Sequence, residues 1–511
     1  MNLTGIENLL KVVDDFFYTY LLAALLILVG IYLTTRTHLV QLRHFGTMVN
    51  SLSGSRSGAQ GGISSFQAFA VGLAARVGIG NIAGVALAIV AGGPGALFWM
   101  WVVALIGMAT SFVESTLAQI FKERGRDFTF RGGPAYYIKN GLGSALWGKV
   151  FAAMCIVSVG VTVVMVQTNS LAEVITATVP SVSGWMVGVF LVLLTAPVVL
   201  GGVRLVARVA EWLAPVMALA YVLMAVVVIV LNADKLLEVL VSIFEGAFGV
   251  NQAFFGTAGG VLAALLNGVR RGLFSNEAGL GTVPNAAGTA TVAHPVRQGL
   301  IQSFGVFVDT IVVCTVTALI VLLSGVYTPA GPNVPKDAAE AAEKAANTLT
   351  SASVTNVLGG WAQYLMAVII FVFAYSSLLG NYTYAQVNMD YLQGKQHKHY
   401  ALRAMIIVAT AVGSLSTLTF VWSLSDLVMG AMTVINMVSI LALGGWAFGA
   451  LRDWEAQRRA VEAGEKDEIR FIATDNPYLP GTLPGDIWAV DGAAHAAITE
   501  RRAALEEASG S

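Results

Sequence analysis

Long apolar runs recur along the whole chain of 511 residues and are separated by short polar connections. A transmembrane helix needs about 20 predominantly apolar residues, and the sequence contains eleven runs suited to this role. They lie near residues 15–34, 66–91, 94–121, 146–178, 184–201, 205–231, 251–285, 296–325, 357–388, 401–421 and 424–451. Hydrophobic residues make up 56% of the chain and charged residues only 12%. The sequence therefore predicts an all-α polytopic membrane protein with eleven transmembrane helices and a polar tail.

Several functional classes are disfavoured by composition. The formal net charge is −1, so no basic surface field indicates nucleic-acid binding. Cys155 and Cys314 lie in apolar runs, which predicts buried thiols and no disulfide. The chain has no H-E-x-x-H or G-x-S-x-G motif, which argues against an enzyme. The six histidines all fall in connections or in the tail, so no intramembrane metal cluster is expected: His38, His44, His294, His397, His399 and His495.

Lysine and arginine are strongly biased towards alternate connections. One side carries Arg36, Arg43, Arg56, Lys122, Arg124, Arg126, Arg131, Lys139, Arg204, Arg208, Arg297, Lys395, Lys398, Arg403, Arg452, Arg458 and Arg459; the other carries Lys11, Lys235, Lys336 and Lys344. Because basic residues are retained in the cytoplasm, the N-terminus is predicted outside and residues 452–511 form a cytoplasmic tail. The outer connections 233–247 and 336–350 show helical periodicity, and we expect surface-lying amphipathic helices there. Residues 473–486 are rich in Pro, Gly and Asp, which indicates an irregular segment.

An internal repeat relates the two halves of the chain at a shift of 195 residues. The pattern Arg76-x-x-x-x-Asn81-x-Ala-Gly matches Arg271-x-x-x-x-Asn276-x-Ala-Gly, and Glu114 matches Asp309 in the same register. The matched segments are five spans apart, and five is odd, so the halves must have opposite orientations in the membrane. This predicts an inverted repeat of five plus five spans. Residues 66–231 and 251–451 form the two repeats, while residues 1–65 hold a peripheral first helix and a cytoplasmic loop.

The second predicted span is interrupted by Arg76, Gly78, Gly80 and Asn81. Glycines weaken a helix in its middle, and an unwound turn exposes backbone groups that must line a cavity or bind a ligand. The freed carbonyls suit Na⁺, and the N-terminus of the following half-helix suits a carboxylate. The alternative is close helix packing through Gly80-x-x-x-Gly84. The spacing also mimics a dinucleotide-binding fingerprint, but no strand precedes it.

The seventh predicted span is too polar to face lipid and should also be broken, near residues 273–276. Phe274 is a candidate cover for an apolar substrate side chain, and Ser275 and Asn276 are candidate hydrogen-bonding residues. Arg271 and Glu277, together with Arg270, are predicted to form an inner ion-pair network or gate rather than a substrate site.

Other polar side chains lie within apolar helices. Glu114 and Asp309 need cationic or hydrogen-bonding partners; we expect the arginines of the broken spans to supply them, in a structural or gating role. Gln167, in a cluster extending to residue 170, either lines a central cavity or joins helices by hydrogen bonds. Ser376 and Ser377 either bind Na⁺ or bond to backbone carbonyls, and Asn381 shapes a polar pocket beside them.

These stretches together resemble the alanine or glycine:cation symporter family. The matching segments are Arg76-Val-Gly-Ile-Gly-Asn-Ile-Ala-Gly-Val-Ala86, Gly92-Gly-Pro-Gly-Ala-Leu-Phe-Trp-Met-Trp101, Val166-Gln-Thr-Asn-Ser170, Arg271-Gly-Leu-Phe-Ser-Asn-Glu-Ala-Gly-Leu-Gly281 and Phe373-Ala-Tyr-Ser-Ser-Leu-Leu-Gly-Asn-Tyr382. The resemblance covers most of the chain. It implies a LeuT-type fold with broken helices in spans 2 and 7, and import of small neutral amino acids with Na⁺ across a prokaryotic plasma membrane.

The resemblance also implies individual roles. The carbonyls of Ala74 and Val77, with the hydroxyls of Ser376 and Ser377, would form the main sodium site. Gly78, Gly80 and Asn81 would meet the substrate, with Gln167 and Phe274 in the pocket. Two positions depart from the family pattern, because Ile79 stands where threonine is common and Asn381 where many members have tryptophan. A smaller residue at 381 enlarges the pocket, which places glutamine and serine beside alanine and glycine as candidate substrates.

The expected mechanism is alternating access, in which Na⁺ orders the broken second span and so completes the carboxylate site. Proton coupling is the closest rival, because Glu114, Glu277 or Asp309 can titrate when desolvated. A passive channel would need a continuous polar lining, which the sequence lacks. The expected partners are a small neutral amino acid and the lipid bilayer, with Na⁺ as the coupling ion.

Overall fold

The computed structural model describes residues 13, 16–17, 21–53, 63–125, 129–249, 258–328, 336–394 and 399–496, without the side chains of 53, 202–204, 258–259, 336–344, 347 and 418–419. Some predictions therefore lie outside the described residues: Lys11, Arg56, Arg126, His397, the two lysines at 395 and 398, and the beginnings of the first and seventh predicted spans. The same holds for the tail beyond residue 496.

The first half of the chain is helical apart from one short hairpin. Its helices are α1 (Ala23–Arg36), α2 (Val40–Arg43), α3 (Phe45–Ser53), α4 (Ser65–Arg76), α5 (Val85–Gly92), α6 (Gly95–Ile120), α7 (Pro134–Leu142), α8 (Ala145–Val157), α9 (Val163–Thr178) and α10 (Gly184–Leu231). Wider π-helical turns occupy Gly80–Gly84 and Ser158–Thr162. The strands β1 (Glu123–Arg124) and β2 (Phe130–Arg131) pair antiparallel.

The second half follows the same pattern. A 3₁₀ turn at Ala233–Lys235 leads into α11 (Leu236–Phe248), followed by α12 (Ala258–Asn276), α13 (Val283–Ala287), α14 (Pro295–Val306), a π-helical stretch at Phe307–Cys314 and α15 (Thr315–Leu323). The remaining helices are α16 (Lys336–Leu358), α17 (Ala362–Gln393), α18 (Tyr400–Gly413) and α19 (Leu418–Glu462).

Seven helical segments of the described chain, two of them within α10, are long and apolar enough to cross a membrane. An eighth span is added if the bent helix pair on either side of residues 77–79 counts as one span. Two predicted spans correspond to α1 and α18, which have only 14 residues each. Two others, 184–201 and 205–231, follow each other within the single helix α10. The polytopic helical class is thus established, while the count of eleven and the LeuT-type fold stay predictions.

The two connections predicted to lie outside are helical, and one of them contacts the broken second span. In α11, Val239, Ile243 and Ala247 are buried, as expected for an amphipathic helix. In α16 one face is buried, with Ala346 and Thr350 inside and Ala345 and Ala352 exposed, and Thr350 donates from Oγ1 to the carbonyl of Ile82 (3.3 Å) in the broken second span. This is the pattern of an amphipathic helix, and its buried face contacts the broken span. Its small side chains, Ser353 among them, allow close packing that hydropathy alone does not reveal.

Residues 470–495 of the tail lie against the side of the protein to which the charge bias assigns the cytoplasm. Trp488 is buried and donates from its indole nitrogen to the carbonyl of Gln119 (3.1 Å). The ammonium group of Lys122 lies over the Trp488 ring at 4.6 Å, and burial lowers the pKa of Lys122 well below its ordinary value. The backbone N–H of Phe471 donates to Ala293, in the connection that follows α13. The tail therefore covers the chain between the second broken span and α14.

Candidate functional site

The helix of the second predicted span is interrupted next to its glycines. Helix α4 begins with a capping box formed by Ser64 and Gln67, ends at Arg76, and resumes after a bend of 50°. Asn81 accepts from the backbone N–H of Gly78 through Oδ1 (2.8 Å). Gln167 reaches across from α9 and accepts from the N–H of Ile79 through Oε1 (3.1 Å). Two side chains therefore satisfy two backbone donors that the break exposes, as buried donors require.

Helix α17 packs directly on this broken turn. Ser377 donates from Oγ to the carbonyls of Ala74 (3.1 Å) and Ala75 (3.0 Å) at the end of α4. The approach is so close that a Cβ at Gly78 would collide with Ser377 Oγ, which explains the glycine there. Asn381, one turn later, donates to the carbonyl of Ser377 (2.8 Å).

The predicted sodium ligands are only partly brought together. The Ala74 carbonyl and the Ser377 hydroxyl are in direct contact. The Ser376 hydroxyl instead donates to Phe373 (2.9 Å) and lies 3.1 Å from the sulfur of Met217 on α10. Val77 is buried at the end of α4, and its N–H donates to Leu73 (2.8 Å).

The second broken span differs in detail from the prediction. Helix α12 continues through residues 273–276, so the expectation of an irregular turn there is wrong. The break lies at residues 277–282, where Glu277, Gly279 and Gly281 adopt positive φ angles of 55°, 90° and 80°. Glycine enters this left-handed region without steric cost, so the chain leaves the helix just beyond Asn276. Asn276 then accepts from the N–H of Ala278 (3.0 Å).

The two buried acids of the internal repeat each contact the broken span of the opposite half. Asp309 accepts from Asn81 (2.7 Å), and from the hydroxyls of Ser275 and Thr310 (both 2.7 Å). Glu114 accepts from the N–H of Gly279 (3.2 Å) in the second broken span. The acid of each half thus binds the break in the other half, which is the contact pattern that a two-fold related repeat produces.

The expected pairing of these acids with the arginines is wrong at the level of direct contacts. Arg271 forms its ion pair with Asp426 on α19, and its guanidinium lies over the ring of Trp422 at 4.6 Å. Arg76 donates to the carbonyl of Gln302 (2.9 Å) and to the hydroxyl of Ser111 (3.0 Å). The two acids are satisfied mainly by amides and hydroxyls.

Glu277 likewise accepts a hydrogen bond from a hydroxyl, that of Thr282 (2.6 Å). Among the described residues, no arginine contacts Glu277 directly. Arg76 nevertheless interacts electrostatically with Glu277, Glu114 and Asp309. A single guanidinium therefore influences three buried carboxyl groups.

Three residues of α19 that sequence reasoning missed lie at the broken spans. Trp422 contacts Phe274 with ring centroids 4.5 Å apart, and a Cβ at Gly80 would lie 2.9 Å from the Phe274 ring. Asn436 donates to Glu114 (2.9 Å) and to the carbonyl of Gly279 (2.8 Å). Asp426 could have been found, because it is an acid in an apolar run, the same signal that marks Asp309. Nothing in the sequence distinguishes Trp422 and Asn436 from ordinary core residues.

The predicted substrate residues are all buried: Gly78, Ile79, Gly80, Asn81, Gln167, Phe274, Ser275, Asn276 and Asn381. Hydrogen bonds within the set join Asn81 to Gly78 and Ser275, and Gln167 to Ile79. Three cavities in the described part of the chain have linings that include none of these residues. Two amide atoms of the set lack a hydrogen-bond partner, Oδ1 of Asn381 and Nδ2 of Asn276. Because a buried unpaired polar atom is costly, both are candidates for bonds to a ligand.

The sequence matches known proteins over most of its length. The profile of the "Sodium:alanine symporter family" matches residues 3–468. The amino-acid carrier protein AlsT of Bacillus subtilis is 42% identical over 454 residues, covering 89% of this chain and 93% of AlsT. The probable sodium/glutamine symporter GlnT of the same organism is 41% identical over 458 residues, covering 89% and 92%. The putative sodium/proton-dependent alanine carrier protein YrbD of Bacillus subtilis is 39% identical over 435 residues, covering 84% of this chain and 89% of YrbD.

The match to the family profile spans most of the chain, and the relatives are aligned over most of their own length. They are transporters and not enzymes. With its apolar helices and the bent helix pair on either side of residues 77–79, this multi-pass membrane protein belongs to the sodium:alanine symporter family.

Proposed function

We propose that the protein imports small neutral amino acids together with Na⁺ by alternating access, with alanine, glycine, serine and glutamine as candidate substrates. The observation that carries this proposal is the broken turn at residues 77–81, whose backbone groups are held by side chains from α9 and α17. Exposed backbone at bilayer depth is tolerated where it serves a ligand. In this proposal the N-terminus lies outside a prokaryotic plasma membrane and the tail lies in the cytoplasm.

The sodium ion binds where Ser377 meets the end of α4. Hydroxyl and carbonyl oxygens are hard ligands that suit Na⁺, and the carbonyls of Ala74 and Ala75 already converge on the Ser377 hydroxyl. Ion binding needs only that this hydroxyl turn its hydrogen away, so that its oxygen faces the ion. The Val77 carbonyl and, after rotation away from Met217, the Ser376 hydroxyl complete the set.

The substrate carboxylate binds the backbone N–H groups of the broken turn. The N–H of Ile79 now donates to Gln167 (3.1 Å), so Gln167 holds the place of a carboxylate oxygen and is displaced when the substrate enters. The unpartnered Oδ1 of Asn381 accepts from the substrate ammonium group. Phe274, backed by Trp422, limits the size of the substrate side chain. Gly78, Gly80 and Asn81 shape the turn itself, while Ser275 and Asn276 contribute from the second break.

The two halves move against each other as five-helix repeats, residues 66–231 and 251–451, around the contacts of Glu114 and Asp309. Because each acid binds the break of the opposite half, a rearrangement of one break changes the surroundings of the other. Arg76, Arg271 and Glu277 act as gating or ion-pair residues beside these contacts. Residues 1–65 and 452–511 lie outside the repeats.

Uptake of labelled alanine, glycine, serine and glutamine into proteoliposomes tests the proposal. The assay is run with an inward Na⁺ gradient, with choline replacing Na⁺, and with a pH gradient alone. Uptake driven by Na⁺ is expected, and it should be lost in Ser377→Ala but kept in Ser439→Ala. The control serine also lies in a helix, but its hydroxyl bonds only to a carbonyl of its own turn, that of Ile435 (2.7 Å). Equal Na⁺ dependence in the two variants would reject the sodium site.

Proton coupling remains the second candidate, on the observation that Arg76 is shared by three buried carboxyl groups while Arg271 is neutralised by Asp426. When all three are ionised, two further cations, Na⁺ or H⁺, are needed with Arg76 to balance Glu114, Glu277 and Asp309. If H⁺ is the coupling ion, a pH gradient alone drives uptake in the wild type and fails to do so in Asp309→Asn. If Na⁺ is the coupling ion, a pH gradient drives neither.

A further inference from the structure

An apolar groove of about 640 Å³ lies beside the first broken span, away from the residues proposed to bind substrate. Phe66, Phe69 and Leu73 form one wall from a single face of α4. Pro215, Leu219 and Val222 of α10 form the facing wall, also from one helix face. Phe304 and the π-helical stretch after α14 close the back. We propose that this groove binds an acyl chain of an anionic phospholipid from the cytoplasmic leaflet.

The lining excludes a polar occupant. Every side chain that lines the groove is a hydrocarbon one, so the groove offers no side-chain hydrogen-bond donor or acceptor to an amino acid or a peptide. The groove also borders lipid, because Leu219 is 60% exposed in the part of α10 that spans the membrane. A lipid chain is the apolar molecule available at this depth.

The same stripe of α10 supplies a site for the headgroup. Arg208, Trp212, Pro215, Leu219 and Val222 follow one another at intervals of four, three, four and three residues, so they share one helix face. Trp212 is 75% exposed, as is typical of a side chain at the membrane interface.

Arg208 is exposed too, and within the described chain it has no ion-pair partner. It lies about 10 Å from Pro215 along the helix, at 1.5 Å per residue, so it is placed to pair with a phosphate while the acyl chain enters the groove. The positive charge of Arg208 favours an anionic phospholipid over a zwitterionic one.

The position gives the lipid a role that rests on the proposed transport function. Helix α4 carries Phe69 and Leu73 on its groove face, and its last residues bear the carbonyls that meet Ser377. An acyl chain in the groove therefore supports α4 from the membrane side and holds it against α17. Removal of the lipid should loosen the sodium site without touching any residue that binds substrate.

The test measures lipid retained by the purified full-length protein, by native mass spectrometry after reconstitution with equal amounts of phosphatidylglycerol and phosphatidylcholine of the same chain length. Ala218→Trp places a large side chain in the groove. We expect the amount of retained lipid to fall about tenfold, which is the loss of affinity when roughly two methylene groups of the acyl chain no longer lie in the groove. Leu223→Trp is the matched control, because Leu223 is 57% exposed on α10 but does not line the groove. Val222→Trp repeats the test should Ala218→Trp not fold, as judged by thermal unfolding.

The headgroup is tested separately. Arg208→Gln should abolish the preference for phosphatidylglycerol. Arg452→Gln should keep it, because Arg452 is an exposed arginine on a different helix, α19. Equal retention in the groove-filling and control variants would overturn the acyl-chain site, and an unchanged preference in Arg208→Gln would overturn the headgroup assignment. Because retention is measured without transport, absence of amino-acid uptake would reject the proposed function and leave this result standing.

Discussion

Replacing Gly78 by alanine gives a sharp test of the sodium site. An added Cβ would collide with Ser377 Oγ and would lie 3.0 Å from Ser377 Cβ and 3.2 Å from Gln167 Oε1. The least costly relief is rotation of the Ser377 hydroxyl away from the carbonyls of Ala74 and Ala75. The substitution therefore removes the hydroxyl from the proposed ion site without changing any proposed ligand.

The size of the effect follows from the ion ligand that the rotated hydroxyl no longer supplies. Overpacking separately destabilises the folded protein by about 1–3 kcal/mol. If removing one ion ligand costs about 1.4–2.8 kcal/mol, the half-saturating Na⁺ concentration rises about 10- to 100-fold. In the presence of Na⁺ the substrate affinity of the variant also falls, because the ion orders the turn that binds the carboxylate. Without Na⁺ the substrate affinity should be unchanged.

The assay is the Na⁺ dependence of alanine uptake in proteoliposomes, with folding checked by size-exclusion chromatography and thermal unfolding. Gly84→Ala is the matched control, since its Cβ would meet only the ring of Trp422 at 3.6 Å and the side chain of Arg271 at 4.0 Å. These are ordinary van der Waals contacts, so we expect little change. A folded Gly78→Ala protein with the Na⁺ dependence of Gly84→Ala would refute the reasoning.

Further predictions concern the ion pair and the tail. Asp426→Asn leaves the guanidinium of Arg271 buried without a counter-charge, so the free energy of unfolding should fall by about 3–5 kcal/mol. The double variant Asp426→Asn/Arg271→Gln should recover part of this stability in thermal unfolding. Trp488→Ala should release the tail, because truncating a buried tryptophan costs about 3–5 kcal/mol. Limited proteolysis of the tail should be faster in this variant. It should be unchanged in Val490→Ala, because Val490 is 53% exposed. Burial lowers the pKa of His495, whose ring bonds to the carbonyl of Phe471 (2.8 Å). The docked tail thus binds fewer protons than the released one, so docking should weaken as the pH falls below about 6.5. A proteolysis rate that is the same at pH 5.5 and 7.5 would contradict this. His495→Gln should reduce the pH dependence, and any remainder is expected from His294, which contacts Phe471 and whose pKa is also lowered by burial.

The tail shows how composition can mislead about packing. Residues 473–486 were expected to be irregular from their Pro, Gly and Asp content, and they form no helix or strand. Their irregularity does not mean that the tail is loose, because Phe471 and Trp488 on either side are buried against the protein. Single large apolar residues in a polar segment carry no periodicity, so their burial could not be read from the sequence.

The sequence alone determined the membrane class, the family, the approximate position of most helices and the first broken span. These depend on local properties: the length of apolar runs, and the cost that glycine imposes on a helix. The repeat also followed from sequence, because Asn81 and Asn276, and Glu114 and Asp309, keep the same spacing in both halves.

Only the tertiary structure decided which polar groups meet. The arginines were expected beside Glu114 and Asp309, yet Arg271 pairs with Asp426 and the two acids bind amides and hydroxyls of the opposite half. The second break lies after Asn276, because Gly279 and Gly281 accept positive φ angles where the preceding residues continue the helix. Such pairings are set by how helices distant in sequence pack, and a buried carboxyl group accepts any donor that the packing brings within hydrogen-bonding distance.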